Sequence, residues 1–559
     1  MNTESKQNSD LATTPLHPRP QAIALNRRGF LATGVATGIV GSVPYHATAA
    51  PVGKTVARGS VFDQTEPGKR GIPDVLVSNG RLVTKTDQDG QWDLPMDDED
   101  DVLFVIKPRD WMLPLNENRL PQHSHLHLPQ GSAHLKYGGI APTGQLPDSV
   151  DFGLRRQPES DRFKALFCGD PQPRNLREVD YISKTLVPFL QDTDAAFGIS
   201  LGDIMFDDLS LYGPLNQAIG LVGVPWFNVL GNHDLDFDSS DDVRAHDTFR
   251  QNFGASYYSF NWGPVHFIVL DNVYWYGGDP TDPNQRRGYI GKLGAKQLEF
   301  VKNDLEHVAE DQLVVLSMHI PLTGVLPGQT SSPALITEDA ADLLRLLAGR
   351  PHTISFSAHL HVHAHLFLGA QSGWTGPDKH HHIVTGTLCG SWFRGAPDAE
   401  GVPHGTMTDG TPRGFLELEF DGNRLNIDGY RVIGRPAGEQ MRIGLPPGGT
   451  AAQLRGQSFY VNVFNGSERS TVQYRIMNVD PTWRAMEQAV EPEPHYVGLF
   501  DRDQQLESPY LAMSKPHVCT HLWKATLPDH LPVGSYLVEV REKDVYGNQH
   551  RGAAVLRVS

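Results

Sequence analysis

Five short apolar runs in the middle of this chain each stop at a residue that can bind a metal ion. No other feature restricts the fold as much. Phe163 to Cys168 leads into Gly169-Asp170, Ala195 to Leu201 into Gly202-Asp203, and Trp226 to Leu230 into Gly231-Asn232-His233-Asp234. Leu313 to Met318 leads into His319, and Thr353 to Ser357 into Ala358-His359-Leu360-His361. Short apolar runs bounded by turn-prone residues read as buried strands. Between them Leu176, Val179, Ile182, Leu186 and Leu190 recur at helical spacing, as do Leu215, Ile219 and Val222, then Leu298, Val301 and Leu305, with a further helix around Leu343 to Leu347. Strand alternating with helix predicts an α/β domain. In such a sheet the carboxyl ends of the strands share one edge, and the loops there converge into a site. A chance scatter of Asp and His has no reason to favour strand ends.

At 559 residues the chain exceeds what one hydrophobic core supports, so several domains are expected. A net charge of -17 argues against a non-specific grip on nucleic acid or an anionic membrane. No apolar run long enough to span a bilayer follows the N-terminal region. Cys168, Cys389 and Cys519 are far apart and odd in number, which excludes a disulfide framework or a zinc knuckle and leaves separate buried thiols.

Residues 1–50 carry Arg27-Arg28, a glycine-diluted apolar run from Ala32 to Val43 and a small-residue site at Ala47-Thr48-Ala49. That pattern resembles a twin-arginine export signal, with a periplasmic or extracellular destination. Residues 54–127 alternate in β fashion with turns at Asn79-Gly80 and Asp89-Gly90 and resemble a transthyretin-like sandwich. Within them His123, His125 and His127 could bind a metal, but a solvated loop is the simpler reading. Residues 128–162 read as a linker, 163–433 as the α/β domain, 434–455 as a second linker, and 456–559 as a closing β-sandwich.

The motifs Gly169-Asp170-Pro171-Gln172, Gly202-Asp203, Gly231-Asn232-His233-Asp234, Met318-His319 and Ala358-His359-Leu360-His361 stand in the order used by calcineurin-like metallophosphoesterases, and the chain resembles that family over residues 163–365. The β modules on either side resemble a bacterial exported branch of it. The resemblance implies a four-layer α/β/β/α metallophosphoesterase sandwich flanked by two small all-β sandwich domains. It implies two divalent metal ions (Fe, Mn, Zn or Mg), with Asp170, Gln172 and His361 on one, Asn232, His319 and His359 on the other, and Asp203 bridging. A hydroxide between the ions would attack phosphorus in line. His233 would act near the leaving group, as general acid or phosphate hydrogen-bond donor, oriented by Asp234. Such a pair, roughly 3.5–4 Å apart, makes a nucleophile at neutral pH and neutralises phosphoryl charge.

The chain departs from the family at two places. Gln172 stands where most members have His and offers a neutral amide oxygen, which favours iron, manganese or magnesium over zinc. Ala358 stands where Gly is common and is tolerable unless its φ is positive. Asp207 and Asp208 read as loop or helix N-terminal carboxylates. His363 and His365 read as strand or loop residues, and His380, His381 and His382 as core or rim. Trp392 could line a pocket or pack in the core, and Arg286 and Arg287 could meet an anionic substrate or sit in a solvated loop. The expected activity is hydrolysis of a phosphomonoester or phosphodiester, with no transmembrane span once the signal is removed. The rival is a non-catalytic envelope protein that keeps the fold as a binding scaffold.

Overall fold

A computed structural model describes residues 55–277, 288–325, 331–506 and 509–559. The export-like segment, Arg286 and Arg287 lie outside the described residues. At the centre are two mixed sheets. One runs in the order Trp226–Asn228, Phe197–Ser200, Arg162–Cys168, Gly414–Asp421, Arg424–Val432; its first three strands are parallel and the last two antiparallel. The other runs Tyr258–Trp262, Val265–Val269, Val314–Ser317, Thr353–Ser357, His380–Val384, Ala364–Leu368.

The strand Arg162–Cys168 shows how sequence builds these layers. Its side chains alternate between two cores: Phe163, Ala165 and Phe167 meet residues of the second sheet such as Phe267 and Phe356, while Leu166 and Cys168 meet the helix Leu176–Leu190 through Val179, Ile182 and Leu186. A strand buried on both faces must be apolar throughout, which is why these runs lack polar alternation. The helix begins at Asn175, whose side chain accepts from Glu178 N. On the second sheet the helices Ala295–Leu305 and Ala340–Leu347 add Phe300, Val301, Leu343, Leu344 and Leu347 to the same core cluster.

Before these sheets come two four-stranded ones. Gln91–Met96, Thr55–Asp63, Phe152–Arg156 and Trp111–Met112 form one; Val83–Lys85, Leu76–Ser78, Val102–Ile106 and Ser124–Leu126 form the other. After them come two more, built around the pairings Ser458–Val463 with Leu522–Thr526 and Gly534–Lys543 with Gln549–Val558. All lie within the one unit Lys54–Ser559. Val102–Ile106 is buried at every position: Leu103 and Val105 face its own sheets, Val102, Phe104 and Ile106 the central core.

Three expectations need correction. Residues 128–162 are not only a linker, because Phe152–Arg156 pairs in parallel with Thr55–Asp63; Val150, Phe152 and Leu154 alternate into that core behind a Pro- and Gly-rich stretch that hides them. Residues 434–455 contain the strand Met441–Gly444, paired with Ser458–Val463, and the short helix Ala451–Leu454. His123 is buried, and Ser124–Leu126 is a strand against Val102–Phe104 rather than a solvated loop. Among the described residues these histidines belong to no group able to hold a metal. No helix among the described residues is long and apolar enough to cross a membrane.

Candidate metal centre

The loops at the carboxyl ends of the two parallel sets meet at one place. Asp170, Gln172, Asp203, Asn232, His319 and His361 are all buried, and His359 nearly so. Among the described residues, eight of the thirteen non-glycine residues with positive φ belong to this region: Asp170, Gln172, Asp203, Asp207, His359, His361, Trp392 and Phe393. Each such residue costs on the order of 1–3 kcal/mol, and clustering of that kind marks a site whose surroundings force it. Ala358 is not among them, so the methyl group where Gly is common is unstrained. Two glycines are required by close approach. A Cβ on Gly231 would lie 2.0 Å from Asp203 N, and one on Gly202 2.4 Å from His319 Nδ1.

Three imidazoles are turned the same way. His319 Nδ1 lies 2.8 Å from Leu201 O, His359 Nε2 3.0 Å from Ala334 O, and His361 Nδ1 2.5 Å from Gly390 O. Each ring donates its outer N–H to a backbone carbonyl and aims its other nitrogen inward, where it offers a lone pair when unprotonated. Inward, His319 Nε2 meets Asn232 Oδ1 at 3.1 Å, Asp203 Oδ1 at 3.2 Å and His359 Nδ1 at 3.1 Å. His361 Nε2 meets Asp170 Oδ2 at 3.1 Å, and that buried oxygen has no hydrogen-bond partner. Lone pairs facing lone pairs at these distances repel unless positive charge sits among them. In the bare protein that charge is a proton: burial lowers the His319 pKa, but Asp203 overrides it and draws the group up to about 9. His359, buried beside His319, falls to about 3. Asp203 is held well below the usual carboxylate range, since burial, which raises it, is outweighed by His319 and His233. Asp203, His319 and His359 present ligand atoms all within 4.8 Å of one another. A mixed set of imidazole, carboxylate and amide oxygen fits divalent transition metals, and Asp170 with His361 offers a second set beside the first.

Gln172 reaches the cluster, but with its amide nitrogen: Nε2 donates to Asp203 Oδ2 at 2.9 Å, and Oε1 lies 3.8 Å from Cys389 Sγ. A half-turn of the amide exchanges these two roles.

The expected His233–Asp234 pair is corrected by the structure. Asp234 is fully buried and accepts from Gly231 N, Ile204 N, Met205 N and Tyr212 Oη, so it is a bracket between loops. Burial and the Asp203 charge push its carboxyl up to about 7. The partner of His233 is Asp207, 2.5 Å from Nδ1, while the ring stacks on Phe206 at 4.5 Å. Burial works against the His233 imidazolium, but Asp203 and Asp207 raise its pKa above the ordinary value. Asp208 is the helix-start carboxylate, capping Leu209–Leu211 through Ser210 N. Trp392 stacks on His361 at 4.0 Å, and Tyr289 stands edge-on to His359 at 6.2 Å. His365, His380 and His382 are buried on their strands and His363 just before one, outside the cluster.

Residues 59–136 match the model of the N terminal of calcineurin-like phosphoesterase, and residues 382–550 the model of its C terminal. No curated protein matches the chain. Among solved structures, a dimetal phosphatase from Danio rerio is 16% identical, covering 48% of this chain and 96% of its own, with a TM-score of 0.34. A purple acid phosphatase from yellow lupin (Lupinus luteus) seeds is 13% identical, covering 68% and 71%, with a TM-score of 0.36. With these two stretches matched and the ordered motifs between them gathered at one sheet edge, the chain is similar to the calcineurin-like phosphoesterase family.

Proposed function

We propose that this chain is an exported, metal-dependent phosphoester hydrolase, a phosphomonoesterase or phosphodiesterase using two divalent ions. The observation that carries the reading is the trio of imidazoles whose inner nitrogens are set against Asp170, Asp203 and Asn232. In this reading Asp170, Gln172 and His361 hold one ion, Asn232, His319 and His359 the other, and Asp203 both. When bound, the ions supply a nucleophile at neutral pH and positive charge for the phosphoryl oxygens. The protein's own part is positioning and proton transfer. His233, with Nδ1 taken by Asp207, keeps Nε2 to donate to the leaving oxygen, and Asp203 and Asp207, outweighing burial, favour the protonated ring that carries that proton. The central sheets form a four-layer α/β/β/α sandwich in this reading, with a β-sandwich domain on each side. The ligand is a phosphoester, and the twin arginines Arg27 and Arg28 route the chain out of the cytoplasm.

Asp203→Asn tests the centre. Elemental analysis should show bound metal in the native protein and much less in the variant, with turnover of p-nitrophenyl phosphate or its bis-ester falling by several orders of magnitude. Native protein that neither binds metal nor turns over either ester is the scaffold outcome, and near-normal activity in the variant overturns the ligand assignment. Changing Arg27 and Arg28 to Lys should leave the protein in the cytoplasm of a producing cell; undiminished export would remove the routing.

A further inference from the structure

Outside the metal-competent cluster, a cavity of about 720 Å³ opens between the end of the helix Leu176–Leu190, the loop 398–406 and residues 432–435. Its wall is mixed, with an apolar part made by Phe189, Val402, Pro403 and Ile433. Its polar anchor is Arg413, only 8% exposed. Arg413 Nη1 donates to Thr185 Oγ1 at 3.2 Å, and the guanidinium packs over the Phe393 ring at 5.9 Å. Among the described residues no carboxylate lies within ion-pairing reach of it. Of the other charges on the wall, Asp398 acts on Arg413 only through space, and the rest are engaged elsewhere. Asp398 accepts from Glu400 N and Val402 N, Arg435 pairs with Glu439, and Lys184 lies 3.8 Å from Asp180. Glu400 is exposed.

A buried guanidinium with one neutral acceptor is costly unless a counter-ion completes it. Its planar fork of donors matches a carboxylate or a phosphate. We propose that this cavity is a second ligand site, separate from the metal-competent cluster, that takes a small organic anion. The anionic group sits on Arg413 and an apolar body lies against Phe189, Val402 and Ile433. The site is tied to the candidate metal centre through the backbone. Gly414 N donates to Thr387 O at 3.1 Å, and Thr387 Oγ1 donates to Gly390 O at 2.8 Å. That carbonyl is the one that receives His361 Nδ1–H.

Isothermal titration of the full chain with phenylacetate, and with uncharged phenylacetamide, tests the site. Phenylacetate should bind saturably and the amide at least about tenfold more weakly, the scale of one charge-assisted contact. Arg413→Gln and Phe189→Ala should each weaken phenylacetate severalfold or more, and Asp203→Asn should not. Phe189 is 37% exposed, so its variant keeps the test alive if Arg413→Gln fails to fold. Equal affinity for the two probes, or no saturation by about 10 mM, would overturn the proposal. So would binding that is lost in Asp203→Asn yet retained in the two cavity variants, because that places the anion at the metal centre.

Discussion

His233 sits between Asp207 and the ring of Phe206, with 24% of its side chain exposed. It is open to solvent, as the proposed acid must be, whereas Asp234 beside it is sealed. We expect His233→Ala to retain metal and lose rate by about 10²–10⁴-fold with poor leaving groups, and far less with p-nitrophenolate, which needs no proton. Asp207→Ala should show the same bias more weakly, by about tenfold, as removal of an orienting partner does. A ratio of variant to native rates that ignores leaving-group pKa would remove the acid role from both. The residue types of this site were legible from the strand ends. The Asp207 partnership was not, because a carboxylate four positions beyond Asp203 meets His233 only through the turn that gives Asp207 its φ of 60°.

At the scale of elements, the loops are held by brackets that carry no chemistry. Asp234 receives three backbone N–H groups, from Ile204, Met205 and Gly231, and the phenol of Tyr212. Asp234→Asn would turn an NH₂ group toward backbone donors and leave buried groups unpaired. We expect a loss of about 2–4 kcal/mol in urea unfolding, and an unchanged midpoint would contradict the bracket. His246 is a second such point, at the start of the helix Asp247–Phe253 and 3.0 Å from Asp271 through Nδ1. Burial disfavours its charge, but Asp271 and Asp242 outweigh burial and raise it from 6.5 to about 9. A raised folded value means that the stabilisation is complete below pH 6.5 and fades as pH climbs through 9. His246→Gln should therefore cost roughly 3 kcal/mol at pH 6 and little at pH 10, read as the gap between native and variant unfolding midpoints. A gap independent of pH would show that the imidazolium contributes nothing.

Across the whole molecule, the N-terminal sheets are joined to the centre by a buried ion pair as well as by Phe104 and Ile106. Lys107 is fully buried, with Nζ 2.5 Å from Glu159 Oε1 and 2.7 Å from Asn261 O, while Glu159 Oε2 accepts from Gly263 N. Lys107→Met strands that carboxylate. We expect a loss of about 3–5 kcal/mol, and a change below about 1 kcal/mol would mean that solvent or another cation compensates.

Local pattern alone determined the strands and helices of the centre, because a strand apolar on both faces and a helix with one apolar stripe announce themselves in a few residues. It also determined which side chains would stand at the strand ends. Only the tertiary structure decided what each does there: that Asp234 braces while Asp207 orients, that Gln172 turns its amide nitrogen to Asp203, and that Phe152–Arg156 and Met441–Gly444 are strands inside stretches rich in proline and glycine. The physical reason is reach. Periodicity is set by neighbours three or four residues away, whereas a hydrogen bond or an ion pair is set by whichever group the fold delivers to within about 3 Å.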